Sequence, residues 1–320
     1  MQYELAIVGG GPAGVAAAVY AARKKIKTVL ITDAWGGQSL VSNEIQNWIG
    51  TVAISGEELA KNMEAHARAQ EDLTIKDKTL VEKIEKTGGG FKLSLTGGEV
   101  IESKLILITS GSHRRKLNVP GDDVFNGRGV VYCSTCDAPI FKNKTVAVVG
   151  GGNAGLEAVV DLFPYASKIY LIIRSGAMKG DAVTQEKINS SPKVEILFNA
   201  LTQEIMGDKF VTGLRYQDTA AKTTKELKLD GVFVEIGSVP NSGLVKDFVE
   251  TNAIGEIVVN HKTQQAMLPG GAAPAEGIWA AGDVSDVLYK QNNVSMGDAV
   301  KAVLNIYEYL HKSDAKRGVT

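Results

Sequence analysis

The stretch Ala6-Ile7-Val8-Gly9-Gly10-Gly11-Pro12-Ala13-Gly14 decides the fold, because it joins a short apolar run to a glycine-rich turn. The run Leu5–Val8 has the length and the flanks of a buried parallel strand. The alanine-rich segment Val15–Arg23 then predicts a helix, and Thr28–Thr32 predicts a second strand. A Gly-x-Gly-x-x-Gly turn between a strand and a helix is much more specific than the same pattern alone, so this segment predicts a dinucleotide-binding fold.

Each glycine of this pattern has a physical reason. Gly9 permits the sharp turn, Gly11 lets the backbone approach a pyrophosphate, and Gly14 lets the helix pack close to the strand. The N-terminus of the helix then offers N–H groups to the phosphates.

The same unit recurs as Ala147-Val148-Val149-Gly150-Gly151-Gly152-Asn153-Ala154-Gly155, between the predicted strand Thr145–Val149 and a helix that ends near Phe163. A recurring unit indicates two related folds, each with one nucleotide site. We therefore predict an α/β protein with two Rossmann-like dinucleotide-binding domains of three layers (β/β/α).

A chain of 320 residues is long enough for two domains. The basic run His113–Lys116 and the segment Pro240-Asn241-Ser242 mark two crossings between them. Because the strand Gly277–Ala281 and a helix starting near Gly297 resume the first fold, we predict a discontinuous domain of residues 1–116 and 244–320. Residues 117–243 form the second predicted domain.

Further segments fill out both domains. Ser55 and Glu58 form a capping signal ahead of a predicted helix over Gly56–Gln70. Alternating patterns predict short strands, and the later ones include a β-meander. These strands are Leu73–Glu85, Gly90–Leu95, Glu99–Ser103, Leu105–Thr109, Ile169–Ile173, Val194–Phe198, Glu204–Gly207, Val211–Asp218, Lys225–Leu229 and Gly231–Ile236.

The composition excludes several function classes. With 44% hydrophobic and 22% charged residues the chain is typical of soluble globular proteins. A formal net charge of −1 gives no broad attraction to nucleic acid or to a membrane surface. We expect no signal peptide and no apolar run long enough to span a bilayer, and hence a cytoplasmic protein.

The two cysteines of the chain, Cys133 and Cys136, form a Cys-x-x-Cys pair followed by Asp137. In this spacing one sulfur can capture a partner disulfide and the other can resolve it. Asp137 is placed to exchange a proton with a leaving thiolate. The alternatives are a zinc half-site or two inert thiols. Zinc needs four ligands, and the four histidines are scattered without ligand spacing, so a redox pair is favoured.

Two positions bear on nucleotide recognition. Asp33 follows the second strand, where an acid often binds the adenosine ribose, but Trp35-Gly36-Gly37-Gln38 comes directly after it and could wrap a cofactor instead. The corresponding strand of the second fold ends at Arg174, with Lys179 nearby. A basic group there accepts the 2′-phosphate of NADP, so the sequence leans towards NADPH, with NADH as the alternative.

Together these motifs resemble the low-molecular-weight thioredoxin reductases, and also the reductase core of the alkyl hydroperoxide reductase flavoprotein subunit. The resemblance covers nearly the whole chain and includes Cys-Ser-Thr-Cys-Asp, Gly282-Asp283-Val284 and Tyr289-Lys290-Gln291. It implies thioredoxin-disulfide reductase activity, FAD in the first domain, a nicotinamide nucleotide in the second, and a homodimer. It also implies that Cys136 lies next to the flavin, that Cys133 attacks the partner, and that Asp137 donates the proton.

The cofactor residues carried over from this resemblance form two sets. Those expected at FAD are Gly9, Gly11, Pro12, Ala13, Gly14, Gly36, Gly37, Gln38, Asn47, Thr109, Gly111, Gly282, Asp283, Lys290 and Gln291. Those expected at NAD(P)H are Gly150, Gly152, Asn153, Ala154, Gly155, Arg174 and Lys179. No metal ligand is predicted.

The chain departs from the resemblance in two ways. Thioredoxin reductases usually carry His-Arg-Arg-x-x-x-Arg, whereas Ile173–Lys179 keeps one arginine and ends in lysine. A ferredoxin or a reduced flavin is therefore an alternative electron donor, and a non-enzymatic redox sensor is a third hypothesis. The chain also begins at the flavin strand, without an N-terminal dithiol domain, so we expect a separate thioredoxin-like or glutaredoxin-like protein to accept the electrons.

Overall fold

The computed structural model describes residues 2–42 and 44–317. It divides the chain into two compact units. The first comprises the described residues of Met1–Leu40, Trp48–His113 and Val239–Thr320, and the second those of Val41–Asn47 and Arg114–Ser238. The first unit is therefore discontinuous, and the fold class predicted from the sequence is confirmed.

Strands and helices are numbered in chain order. The first unit contains β1 (Gln2–Gly10), α1 (Pro12–Arg23), β2 (Thr28–Trp35), α2 (Gly56–Arg68), β3 (Leu73–Lys76), β4 (Val81–Thr87), β5 (Gly90–Leu95), β6 (Val100–Ile108), β17 (Gln265–Met267), β18 (Pro274–Ala280) and α6 (Asn292–Arg317). Short strands β7 (Ser112–Arg114) and β16 (Ser238–Pro240) lie at the two crossings and pair with each other.

The second unit contains β8 (Val130–Val131), α3 (Ser134–Asp137), β9 (Thr145–Val149), α4 (Asn153–Leu162), β10 (Lys168–Ile172), α5 (Ala182–Asn189), β11 (Val194–Leu197), β12 (Ala200–Gly207), β13 (Val211–Asp218), β14 (Thr223–Lys228) and β15 (Gly231–Val234).

The sheet of the first unit is parallel in the order β18-β6-β1-β2-β3, with β17 antiparallel at one edge. Strand β6 also pairs with the antiparallel hairpin of β4 and β5. Residues of this hairpin, such as Phe91 and Leu93, share one buried apolar cluster with Ala6 and Ile108 of the parallel sheet. Helices α1 and α6 pack against each other, which completes the three layers.

The second unit repeats this plan. Its parallel sheet has the order β11-β10-β9-β15-β8, and β12, β13 and β14 form the antiparallel meander. One buried cluster contains Leu156 and Val159 of α4, together with Phe233. Another contains Leu214 of the meander and Val149 of the sheet. The strands are apolar on both faces because each face is covered, as in other parallel sheets.

Three predictions of element boundaries were wrong. The strand expected at Leu73–Glu85 is two strands, β3 and β4. Strands expected at Glu99–Ser103 and Leu105–Thr109 are one strand, β6, because its first half pairs with β5 and its second half with β18. Helix α6 begins at Asn292 and not near Gly297, since a glycine inside a helix costs about 1 kcal/mol without ending it. The predicted cap is confirmed: the Ser55 hydroxyl accepts the N–H of Glu58 at 3.1 Å. No described helix is both long and apolar enough to cross a membrane.

Candidate functional site

A cavity of about 690 Å³ opens in the first unit beyond the carboxyl ends of β1, β2 and β6. The chain proceeds from β1 to β2 on one side, and β6 lies on the other side of β1, so the strand order reverses here. Open α/β sheets bind their ligands at such reversals. The volume is within the range of small-molecule sites.

The glycines of the first turn meet different surroundings. Gly9 has φ +118°, and a Cβ there would lie 2.4 Å from the Thr109 carbonyl oxygen. A Cβ on Gly14 would lie 1.7 Å from the Gly9 carbonyl oxygen. The nearest atom to a Cβ on Gly11 is 3.8 Å away, at Gly37. Packing therefore requires Gly9 and Gly14, whereas Gly11 lines the cavity and leaves its backbone accessible.

Many of the residues expected at FAD line this cavity: Gly9, Gly11, Pro12, Ala13, Gly37, Gln38, Thr109, Gly111 and Asp283. Asp33, whose role the sequence left open, also lines it. The Gln38 amide donates to the Ser112 carbonyl oxygen at 2.5 Å, which ties the segment after β2 to the segment after β6.

The other expected residues lie elsewhere. A Cβ on Gly36 would meet Ala60 of α2 at 2.5 Å, and one on Gly282 would meet Ala13 at 3.1 Å, so both glycines serve close packing. Lys290 pairs with Glu256 at 2.8 Å and donates to the Ser285 carbonyl at 2.6 Å. Asn47 belongs to a short segment grouped with the second unit, and Gly14 and Gln291 do not line the cavity.

Sequence reasoning missed several residues that line the cavity. They come from two segments, together with Asn292 and Ser295 of α6. The first segment is Thr79–Glu82, which runs into the start of β4, and the second, after β16, contributes Asn241, Gly243 and Leu244. Neither segment carries a recognisable motif. Ligands of parallel sheets bind beyond the carboxyl ends of the strands, so these segments can be identified as cavity-lining only once the strand order is known.

The turn after β9 repeats the geometry of the first turn. Gly150 has φ +146°, and a Cβ on Gly155 would lie 2.2 Å from the Gly150 carbonyl oxygen. A Cβ on Gly152 would have no neighbour within 4 Å. The Asn153 side chain accepts the N–H of Asp181 at 2.8 Å, and exposed Ala154 lies beside it in the first turn of α4. This turn therefore also combines packed glycines with an open backbone.

The basic residues expected at the second site lie close to this turn. Arg174 follows β10 and is exposed. The backbone N–H of Lys179 donates to the Gly151 carbonyl at 2.7 Å, and Lys179 is exposed. Both cations are thus free to meet an anionic group of a nucleotide.

Cys133 and Cys136 form a disulfide at the start of α3, with 5.4 Å between their Cα atoms. Cys133 is the N-cap of this helix, and its carbonyl accepts the N–H of Asp137 at 3.1 Å. Both cysteines are half-buried. The turn is held from α4, because Asp161 accepts hydrogen bonds from Ser134 Oγ at 2.8 Å and Thr135 Oγ1 at 3.3 Å.

The acid next to the disulfide has an unusual environment. Asp137 is 7% exposed, and burial raises the pKa of its carboxyl group to about 6. A carboxyl group with this pKa can hold or release a proton near neutral pH. Among residues 2–42 and 44–317 no group of histidine, cysteine and acidic side chains could hold a metal ion.

These features define a protein with two dinucleotide folds and a disulfide of the Cys-x-x-Cys spacing. The family of pyridine nucleotide-disulphide oxidoreductases matches residues 3–303, so the chain belongs to this family. Proteins of this family bind FAD and pyridine nucleotides.

Individual relatives agree with the resemblance read from the motifs. An alkyl hydroperoxide reductase subunit of Staphylococcus epidermidis is 40% identical over 96% of this chain, and the match covers 59% of that protein. Thioredoxin reductase from Giardia duodenalis has a TM-score of 0.88 at 26% identity, covering 97% of this chain and 99% of that one. The thioredoxin reductase of Streptococcus pyogenes gives 0.87 at 29% identity, covering 97% and 99%. The predicted resemblance is confirmed, and the chain spans about three-fifths of the length of its curated relative.

Proposed function

We propose that this chain is an FAD-dependent disulfide reductase of the thioredoxin reductase type. It would pass electrons from NADPH or NADH through FAD and the Cys133–Cys136 pair to the disulfide of a thioredoxin-like or glutaredoxin-like protein. The observation that carries this proposal is the half-buried disulfide at the start of α3, next to a buried acid whose pKa is raised to about 6. Inert structural thiols need neither feature.

The residues present fit the two cofactors. In the first unit the open backbone at Gly11 and the N-terminus of α1 would hold the pyrophosphate of FAD, with Asp33 at the ribose and Asp283 near the remaining sugar chain. In the second unit Gly152 and α4 would hold the pyrophosphate of the nicotinamide nucleotide. When bound, FAD would supply two-electron transfer between the nicotinamide and the disulfide.

The dithiol residues would divide the exchange chemistry. Cys133 would attack the partner disulfide as a thiolate, forming a mixed disulfide, and Cys136 would attack Cys133 to release the reduced partner. Asp137 would give a proton to the departing partner thiolate, since its carboxyl group titrates close to neutral pH.

Anaerobic mixing of the FAD-loaded protein with NADPH, and separately with NADH, tests the donor. We expect rapid loss of the visible flavin absorbance with at least one nucleotide, and the faster one reports whether Arg174 and Lys179 suffice for the 2′-phosphate. Bleaching by dithionite but by neither nucleotide would refute the nicotinamide part of the proposal.

A second candidate function differs in the electron donor. The loop after β10 carries one arginine and one lysine, both exposed, in place of a fuller basic set. A ferredoxin or a reduced flavin would then supply the electrons, and the second glycine turn would have no catalytic use. Rapid flavin bleaching by NADPH or NADH excludes this candidate.

We further propose a cytoplasmic homodimer. This proposal is carried over from the thioredoxin reductase family that the chain resembles. Light scattering coupled to size-exclusion chromatography tests the dimer directly, and a monomer at micromolar concentration would contradict it.

A further inference from the structure

Both residues between the two cysteines are hydrogen-bonded to one side chain of a neighbouring helix. Asp161 is half-buried in the last turn of α4, and its Oδ2 atom accepts the hydroxyl of Ser134 at 2.8 Å and that of Thr135 at 3.3 Å. Ser134 is buried, whereas Thr135 is exposed. The turn that the disulfide closes is thus also tied to α4 through its own side chains.

Helix α4 is a firm support for these hydrogen bonds. Its residues Leu156, Val159 and Leu162 are fully buried in one apolar cluster of the second unit. Ala138 and Phe141, which follow the disulfide turn, belong to the same cluster. Packing therefore fixes both the helix and the chain that leaves the turn, so the two hydroxyl groups bind an acceptor whose position is set independently of the disulfide.

Two constraints on one short turn support each other. A disulfide within such a turn forms by an intramolecular reaction, so its stability grows with the effective concentration of one thiol at the other. Hydrogen bonds that keep the turn in the conformation in which the sulfurs meet raise this concentration, because they remove conformational freedom that ring closure would otherwise have to remove. By reciprocity, ring closure strengthens the hydrogen bonds by the same factor.

We propose that Asp161 is a positioning residue of the dithiol, which keeps the reduced turn in the conformation that forms the disulfide. This inference rests on the proposed redox role of the pair. After Cys133 has captured a partner disulfide, the same hydrogen bonds would keep Cys136 within reach for the attack that releases the partner. Loss of these bonds should therefore make the disulfide of this protein easier to reduce.

The charge of Asp161 could shift the same equilibrium by a different route, and the two routes can be separated. A carboxylate disfavours a nearby thiolate, so removal of its charge would favour the reduced pair only where a thiolate forms, and more so as pH rises. Removal of the hydrogen bonds acts at every pH. Asparagine at this position loses the charge but keeps an oxygen that accepts hydroxyl groups, whereas alanine loses both.

The test is the anaerobic equilibrium of the FAD-loaded full chain with reduced and oxidised dithiothreitol, followed by thiol alkylation and mass analysis. Reduction breaks the protein S–S bond, forms that of dithiothreitol, and moves two electrons and two protons to the cysteine sulfurs. Asp161→Ala removes the acceptor. The double hydroxyl variant, Ser134→Ala with Thr135→Val, removes both donors and keeps the charge.

Asp230→Asn is the matched control. It neutralises a carboxylate of the same unit that accepts the N–H of Thr145 at 2.9 Å. Asp230 precedes β15, whereas the disulfide turn follows the parallel neighbour β8, so the two lie at opposite ends of these strands.

Asp161→Ala and the double hydroxyl variant should each raise the equilibrium constant for reduction about tenfold, at about pH 6 and about pH 8 alike. For a two-electron couple this corresponds to a reduction potential about 30 mV less negative. Combining the two changes should add little, because they remove the same hydrogen bonds. Asp161→Asn and Asp230→Asn should stay within about threefold of the wild type.

Three results would overturn the inference. They are no shift in Asp161→Ala and the double hydroxyl variant, a shift in only one of the two, and a shift in Asp161→Asn equal to that in Asp161→Ala, which would assign the effect to charge. A pair that no dithiothreitol concentration reduces would instead contradict the proposed function.

A second measurement uses the wild-type protein and does not depend on a variant that folds. The backbone N–H of Asp137 donates to the Cys133 carbonyl at 3.1 Å, so its hydrogen exchange reports on the conformation of the turn. If Asp161 holds the reduced turn, the protection factor of this amide should change by less than about threefold on reduction. Loss of protection on reduction would mean that the turn opens with the disulfide, and would refute the inference.

Discussion

Two alanine substitutions in one glycine turn should separate folding from cofactor binding. In Gly14→Ala the new methyl group would lie 1.7 Å from the Gly9 carbonyl oxygen and 2.8 Å from its carbonyl carbon. Both atoms belong to the backbone, so α1 would have to move away from β1. In Gly11→Ala the nearest atom is 3.8 Å away, and φ of −75° is ordinary for alanine.

The expected magnitudes follow from these distances. Overpacking of this kind lowers the free energy of unfolding by about 3 kcal/mol. Because the atoms that meet the new methyl group belong to the backbone, we expect Gly14→Ala to lose at least that amount. Gly11→Ala should change the free energy of unfolding of the FAD-free protein by less than about 1 kcal/mol, since it adds no clash. It should nevertheless weaken FAD binding at least about tenfold, because the methyl group occupies the path of the pyrophosphate.

Urea unfolding of the FAD-free proteins and titration by flavin fluorescence measure the two quantities separately. Gly14→Ala should lower the urea concentration at the unfolding midpoint, whereas Gly11→Ala should mainly weaken the FAD affinity measured by the titration. The reasoning fails if Gly11→Ala destabilises the FAD-free protein more than Gly14→Ala does, or if Gly14→Ala unfolds and binds FAD like the wild type.

Four further predictions concern the second unit. In Gly152→Ala the new methyl group has no neighbour within 4 Å, so the free energy of unfolding should change by less than about 0.5 kcal/mol. Flavin bleaching by the nicotinamide nucleotide should become slower, whereas bleaching by dithionite should not. An unchanged rate of bleaching by the nucleotide would contradict this. Because burial raises the pKa of Asp137 to about 6, the folded state binds the extra proton and stability falls as pH rises from about 4 to 6. Asp137→Asn should therefore have a free energy of unfolding about 3 kcal/mol above that of the wild type at neutral pH, and the difference should disappear near pH 4. A difference in urea unfolding that does not change with pH would argue against this prediction. Cys133→Ser should keep anaerobic flavin bleaching but lose reduction of a thioredoxin-type partner, and a normal rate with that partner would exclude the proposed role. Phe233 is fully buried (0% exposed), so Phe233→Ala should lower the free energy of unfolding in urea by about 3–5 kcal/mol. Phe210 is 63% exposed, so Phe210→Ala should lower it by about 0.5 kcal/mol. Similar losses for the two variants would refute this prediction.

The sequence by itself determined the features that depend on neighbouring residues. The turn at Gly9–Gly14, its repeat at Gly150–Gly155 and the pair of Cys133 and Cys136 are all local spacings, and each predicted a local geometry that the structure contains. The repeat of a whole strand-turn-helix unit also made two folds predictable, because a parallel sheet with its crossover helix follows from such units.

Only the tertiary structure decided which distant segments meet. Thr79–Glu82 and Leu244 line the cavity of the first unit, whereas Lys290 pairs with Glu256 and does not line it. In the second unit, β15 pairs with β8 and brings Phe233 opposite Val131, although the two strands lie near opposite ends of that unit's sequence. The physical reason is that hydrophobic periodicity fixes which face of an element is buried, whereas strand order and register depend on how complete faces pack together.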